Sequence, residues 1–124
     1  MRPKSNTLSA QQLEIMKVVW ELGDATVRDV YESLRTRRSI AYTTVMTMMK
    51  MMEARGDLKK HMKGRAFVYR AVEPRGQALK RIVSDFLDRV FNGSAEPLLA
   101  QLVEERRLSQ KDLDQIARMI REKK

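Results

Sequence analysis

The chain of 124 residues contains no cysteine, which removes disulfides, thiolate nucleophiles and cysteine-based zinc or copper sites together. It has a single histidine, His61. Alone, that residue does not complete a transition-metal site within one chain, so a surface position is expected for it. Aromatic residues make up only 6% of the sequence, so the core has to be aliphatic, drawing on Leu, Ile, Val and nine Met. Long hydrophobic runs are missing as well. Nowhere do about eighteen uncharged apolar residues follow one another, and the basic start Met1-Arg2-Pro3-Lys4-Ser5-Asn6-Thr7 lacks the apolar stretch of a signal peptide. A soluble, cytoplasmic chain is expected. A glycine-rich phosphate loop, an HExxH pair and a Ser/His/Asp set are also absent. Acidic pairs such as Glu104-Glu105 fall on polar helix faces, where solvation or ion pairing is their expected role. The expectation is therefore no enzyme, no cofactor and no small-molecule substrate.

What the chain has in excess is positive charge, +9 net, and that excess is concentrated. From Met1 to Val72 there are 14 Lys/Arg against 7 Asp/Glu; from Glu73 to Lys124 there are 11 against 9. Between Arg35 and Arg70, 10 basic residues face only Glu53 and Asp57. Such a stripe serves either as a solubilising face or as a polyanion surface, where each phosphate neutralised by Lys or Arg releases condensed counterions. The pattern of elements decides between the two.

Ser9 precedes a run from Ala10 to Leu22 in which Leu13, Met16, Val19, Trp20 and Leu22 recur at helical spacing until Gly23 stops it. Thr26 is placed to cap a second helix to about Leu34, with Val27, Val30, Tyr31 and Leu34 on one side. A third helix is expected from about Ala41 or Tyr42 to Arg55, closed by Gly56. Val45, Met48, Met49 and Met52 give it an inward face, and Thr43, Thr44, Thr47, Lys50, Met51 and Ala54 the opposite one. Threonine is a middling helix former, so three of them in two turns are not explained by propensity. They serve as N-terminal caps, as groove readers, or as both together. Leu58–Met62 and Ala66–Val72 then read as two short strands around a basic Lys63-Gly64-Arg65 tip. Helix, helix, helix and hairpin, with a polar third helix and a basic tip, is the winged helix-turn-helix pattern: the third helix enters the major groove and the wing touches phosphate.

From Glu73-Pro74 onward only helices are expected. One carries Leu79, Ile82, Val83, Phe86, Leu87, Val90 and Phe91; a second, capped by Ser94, carries Leu98, Leu99, Leu102 and Val103; a third, behind a Ser109–Asp112 capping box, carries Leu113, Ile116, Ala117 and Ile120. About fifty residues in three short helices bury little core by themselves, so their apolar faces are expected to meet a second copy of the chain. The organisation expected is a winged-helix DNA-binding domain over residues 1–72 and a helical dimerisation domain over residues 73–124, mainly α in class. The dimer contacts are assigned to Leu79, Ile82, Val83, Phe86, Leu87, Val90, Leu98, Leu102, Leu113, Ile116 and Ile120.

Leu13–Ala25 (LEIMKVVWELGDA), Tyr42–Gly56 (YTTVMTMMKMMEARG), Gly64–Tyr69 (GRAFVY), Phe91-Asn92-Gly93-Ser94 and the Leu108-Ser109 region together resemble the BlaI/MecI/CopY family of bacterial repressors, over nearly the whole chain. The resemblance implies a homodimer on an inverted-repeat operator of double-stranded DNA. Thr43, Thr44 and Thr47 match the family's groove-reading positions, and Lys63 and Arg65 its wing. Phosphate contacts are expected at Arg38, Tyr42, Lys50, Lys63 and Arg65; for Tyr42, bracing the helix start with its ring is an equal alternative. A membrane metalloprotease sensor that ends repression is a further implied partner. Three departures stand out: the absence of the copper branch's cysteine-rich tail, Gln101-Leu102 where the penicillinase branch is cleaved between Asn and Phe, and Met51 where relatives often carry a basic residue. The alternative function is a winged-helix adaptor for an acidic protein, with only nonspecific affinity for DNA.

Overall fold

Three serine- or threonine-led capping boxes set where helices begin. In the computed structural model, which describes residues 8–123, the Ser9 hydroxyl accepts from the Gln12 amide while the Gln12 side chain accepts from Ser9 N–H, at 3.0 and 2.9 Å. Thr26 and Asp29 repeat the arrangement, as do Ser109 and Asp112. Each box satisfies two of the backbone donors that a helix start leaves unpaired. The chain runs α1 (Ala10–Leu22), α2 (Val27–Leu34), α3 (Tyr42–Arg55), β1 (Leu58–Lys63), β2 (Ala66–Ala71), α4 (Arg75–Phe91), α5 (Ala95–Glu104) and α6 (Gln110–Glu122). Glu73 and Pro74, where the helical part was expected to begin, stand just before α4. Ser94 is the N-cap of α5, but its side chain makes no cap hydrogen bond. The basic start Met1–Thr7 lies outside the described residues.

Gly56 closes α3 in the left-handed conformation at φ 94°, a geometry that costs any L side chain. The chain then turns directly into β1. β1 and β2 pair antiparallel from Leu58↔Ala71 to Lys63↔Ala66, leaving Gly64 and Arg65 as a two-residue turn. Gly64 supplies the positive φ, 65°, that such a turn requires. Ala25, between α1 and α2, adds a third rung: its N–H reaches the Tyr69 carbonyl at 3.0 Å and the Tyr69 N–H returns to the Ala25 carbonyl at 2.7 Å. The hairpin is thereby fixed to the helices at its base.

The core collects Ile15, Met16, Val18 and Val19 from α1, Val30 and Leu34 from α2, Val45, Met49 and Met52 from α3, and Leu58 and Tyr69 from the hairpin. Burial of each large aliphatic side chain here contributes roughly 1.5–3 kcal/mol relative to exposure. α1 meets α2, α3 and β2, so it needs a wide apolar arc. This corrects the expected face: Ile15 and Val18 are inside, and Leu22 is 50% exposed. Trp20 packs at the core's edge and donates its indole N–H to the Glu73 carbonyl at 3.0 Å.

The chain divides into two compact units, Met1–Ile82 and Val83–Lys124, the division falling inside α4. The first contains the three-helix and hairpin body with the start of α4. The second contains the rest of α4 with α5 and α6. Within it, the Phe86 and Phe91 rings meet edge to face at 5.8 Å. Among the described residues no helix is long and apolar enough to cross a membrane.

Candidate nucleic-acid interface

α3 carries the threonines. Val45, Met49 and Met52 are fully buried on one side, with Met48 half-buried beside them, while Thr43, Thr44, Thr47, Lys50, Met51 and Ala54 are all exposed. The competing role for the threonines, capping, is not taken up. The N-cap is Ala41, in extended conformation, and no side chain caps the helix. Two turns of helix thus present short hydroxyl and methyl groups outward with no structural task among the hydrogen bonds of the fold. Groups of this kind donate to or accept from base edges and phosphates and pack on thymine methyls. Tyr42 opens the helix; its ring meets Tyr31 of α2 edge-on at 5.5 Å, and the Arg28 guanidinium lies 5.5 Å from its centroid. The ring therefore braces α2 against α3.

The hairpin has two unlike faces, because side chains alternate along a strand. His61, Lys63 and Arg70 share one face and converge on Asp24, in the loop between α1 and α2. Arg70 donates to its carboxylate at 2.9 and 3.2 Å, Lys63 at 3.4 Å, and His61 Nε2 lies 3.8 Å away. The Arg70 hydrogen bond holds the Asp24 carboxyl below its ordinary value despite partial desolvation, with Lys63 adding to the effect. Asp24 in turn raises Arg70. The opposite face carries Lys60, whose Nζ sits 4.9 Å from the centroid of Phe67 and 5.9 Å from that of Tyr69. Tyr69's hydroxyl is pushed up by burial, and by Glu53 in second place.

The residues expected against DNA thus fall in three settings. Thr43, Thr44, Thr47 and Lys50 are exposed on α3, with Tyr42 at its start; Lys63 and Arg65 are exposed on the wing, Lys63 sharing its charge with Asp24. Arg38, expected at a phosphate, has its guanidinium 3.1 Å from Glu14 of α1, each side chain only about a third exposed. In this structure its charge is engaged by α1. Asp24 and the Lys60 face are sites that sequence reasoning misses. Strand alternation would have separated Lys60 from Lys63, but the convergence on Asp24 depends on how residues far apart in sequence pair, Lys63 at 39 positions and Arg70 at 46.

In α4, α5 and α6, taken one by one, Ala78 is the only buried residue among those described. Ile82, Leu87, Leu98, Leu102, Leu113 and Ile116 are half-buried; Leu79, Val83, Phe86, Val90 and Ile120 are exposed, Ile120 by 61%. The Gln101-Leu102 peptide lies inside α5.

A profile of the penicillinase repressor family matches residues 8–122. The chain belongs to the penicillinase repressor family. It is 26% identical over 117 residues to the penicillinase repressor of Bacillus licheniformis, covering 94% of this chain and 91% of that one. It is 29% identical over 121 residues to the transcriptional regulator BlaI of Mycobacterium tuberculosis, covering 96% and 86%. Among solved structures, the solution structure of monomeric Bacillus licheniformis BlaI in complex with the blaP half-operator superposes with a TM-score of 0.53 at 27% identity, over 62% of this chain and 93% of that one. The winged helix-turn-helix pattern is the fold this chain adopts. These relatives are named as repressors and regulators of transcription, which sets the chain apart from enzymes.

Proposed function

We propose that this protein is a dimeric, sequence-specific transcriptional repressor of the cytoplasm, with DNA recognition in residues 1–72 and self-association in residues 73–124. The observation that carries the reading is the outward strip of Thr43, Thr44 and Thr47, uncovered and unused as caps. These residues read base edges in the major groove, while Tyr42, Lys50, Lys63 and Arg65 set the register on phosphates. Arg38 contributes to phosphate binding only after leaving Glu14. The uncovered apolar residues of α4, α5 and α6 meet their counterparts in a second copy, so that two α3 helices address an inverted repeat about one helical turn apart or a multiple of it. A membrane metalloprotease sensor is the partner implied to end repression. With Gln101-Leu102 in place of an Asn–Phe pair, release takes either a protease of different cleavage specificity or a different signal altogether.

The test is footprinting across the protein's own promoter, followed by affinity for the protected inverted repeat and for a scrambled duplex of equal length. A repressor gains roughly 4–10 kcal/mol on the repeat; equal affinity for both duplexes identifies an adaptor. Thr44→Ala should lower the preference for the repeat, by about 1–3 kcal/mol for each base edge no longer read, with little change on scrambled DNA. An unchanged preference refutes the role given to α3.

A further inference from the structure

Between α2, α3 and the hairpin runs a groove of ≈ 290 Å³, walled by Arg28 of α2, Tyr42 and Lys50 of α3, and Lys60, Phe67 and Tyr69 of the hairpin. No carboxylate is among the described residues that line it. Three cations face one concavity. Besides the Tyr42 ring, Arg28 meets an exposed carboxylate, Glu32 at 3.4 Å with side chains 68% and 48% accessible, and such pairs hold their charges weakly. Lys60 rests on ring faces, not on a carboxylate. The opposite hairpin face differs, since there Lys63 and Arg70 are already gathered by Asp24. Phe67, at the groove's lip, is 56% exposed, with the Lys60 ammonium 4.9 Å from its ring centroid.

The groove's position identifies its occupant. Tyr42, Met46 and Lys50 follow one another at four-residue intervals along α3, one position before Thr43, Thr47 and Met51. Their strip therefore directly flanks the threonine strip on the helix surface. A helix seated in a major groove has phosphodiester strands along its flanks. We propose that this groove seats the DNA backbone: Arg28 and Lys60 join Lys50 in neutralising phosphates, and Phe67 packs against a deoxyribose. The proposal rests on the repressor reading of α3. It assigns the hairpin's main phosphate contact to Lys60, whose charge is uncommitted, above Lys63, which has to leave Asp24.

The experiment measures the salt dependence of binding to the inverted repeat and to the scrambled duplex for Arg28→Ala, Lys60→Ala, Lys60→Arg and Phe67→Ala, with thermal unfolding of each as a fold check. Each phosphate contact contributes about 0.9 to the slope of log affinity against log salt. Arg28→Ala and Lys60→Ala should each lower that slope by about one on both duplexes, leaving the preference for the repeat unchanged. Lys60→Arg should restore it, and Phe67→Ala should weaken binding with no change in slope. Wild-type slopes in both alanine variants overturn the proposal, as does weaker binding by them at constant slope. A wild-type protein that does not distinguish the duplexes refutes the repressor reading alone, because the slope on either duplex still judges the groove.

Discussion

Leu34 and Ile120 are both branched aliphatic residues near the C-terminal end of an amphipathic helix, yet Leu34 is 1% exposed and Ile120 61%. The contrast extends to the units that hold them. In the first, helices α1 to α3 and the hairpin close around eleven shared side chains. In the second, from Val83 on, no described residue is buried at all. Helical periodicity alone does not say what a face will meet. α2 and α6 have equally clear apolar sides, and only the first finds its complement within its own unit. A single α5 or α6 gains little from its own hydrogen bonds, because short helices depend on packing for most of their stability. The difference teaches that the first unit closes its own core, whereas the second leaves its apolar residues uncovered, the arrangement that the proposed dimer requires.

The sharpest way to break that comparison is to place a charge on the unfinished face. Val90→Arg leaves the isolated helix undisturbed, since Val90 is 54% exposed and a cation suits a helix C-terminus. In a two-fold assembly it would bury two unpaired charges. Self-association should weaken by at least about two orders of magnitude, read by analytical ultracentrifugation; an unchanged association constant removes α4 from the dimer contact. The next effect lies in the finished core. Leu34→Ala should lower stability by ~2–5 kcal/mol in denaturant unfolding, and a loss under ~1 kcal/mol would mean that the first unit's packing is less complete than its burial indicates.

The smallest effect concerns the Asp24 clamp. Its carboxyl is held below the ordinary 3.8, chiefly by the hydrogen bond from Arg70. A depressed folded-state value gives a contribution that is complete above the unfolded value and is lost as pH falls through the folded one. Wild type should therefore melt higher than Asp24→Asn at about pH 6, and the two should converge below 3.8 as the carboxylate protonates. A constant gap between their melting curves down to about pH 2 would show that Asp24 acts by shape and not by charge.

Most of the first unit is legible in the sequence, for local reasons. Ser9, Thr26 and Gly56 mark helix ends by chemistry that acts within four residues, and the hairpin around Gly64 is found, with Lys63 joining β1 instead of the tip and β2 ending at Ala71 instead of Val72. Helical spacing finds Met16 and Val19 on the inward face of α1 but draws that face too narrow. It passes over Ile15 and Val18 and includes Leu22, because periodicity selects one stripe whereas a helix with three neighbours buries a broad arc. The threonine strip is legible because Val45, Met49 and Met52 fix the opposite side. Arg38's engagement with Glu14, and the gathering of His61, Lys63 and Arg70 on Asp24, are not. Both join residues at least 24 positions apart, through contacts that depend on the assembled fold.

Trp20 is the chain's single tryptophan, and its indole N–H holds the Glu73 carbonyl, where the hairpin hands over to α4. The protein thus carries one native indole fluorophore at a known address, excitable at wavelengths where its three tyrosines scarcely absorb. Its emission colour reports on water reaching that joint, without any label being attached.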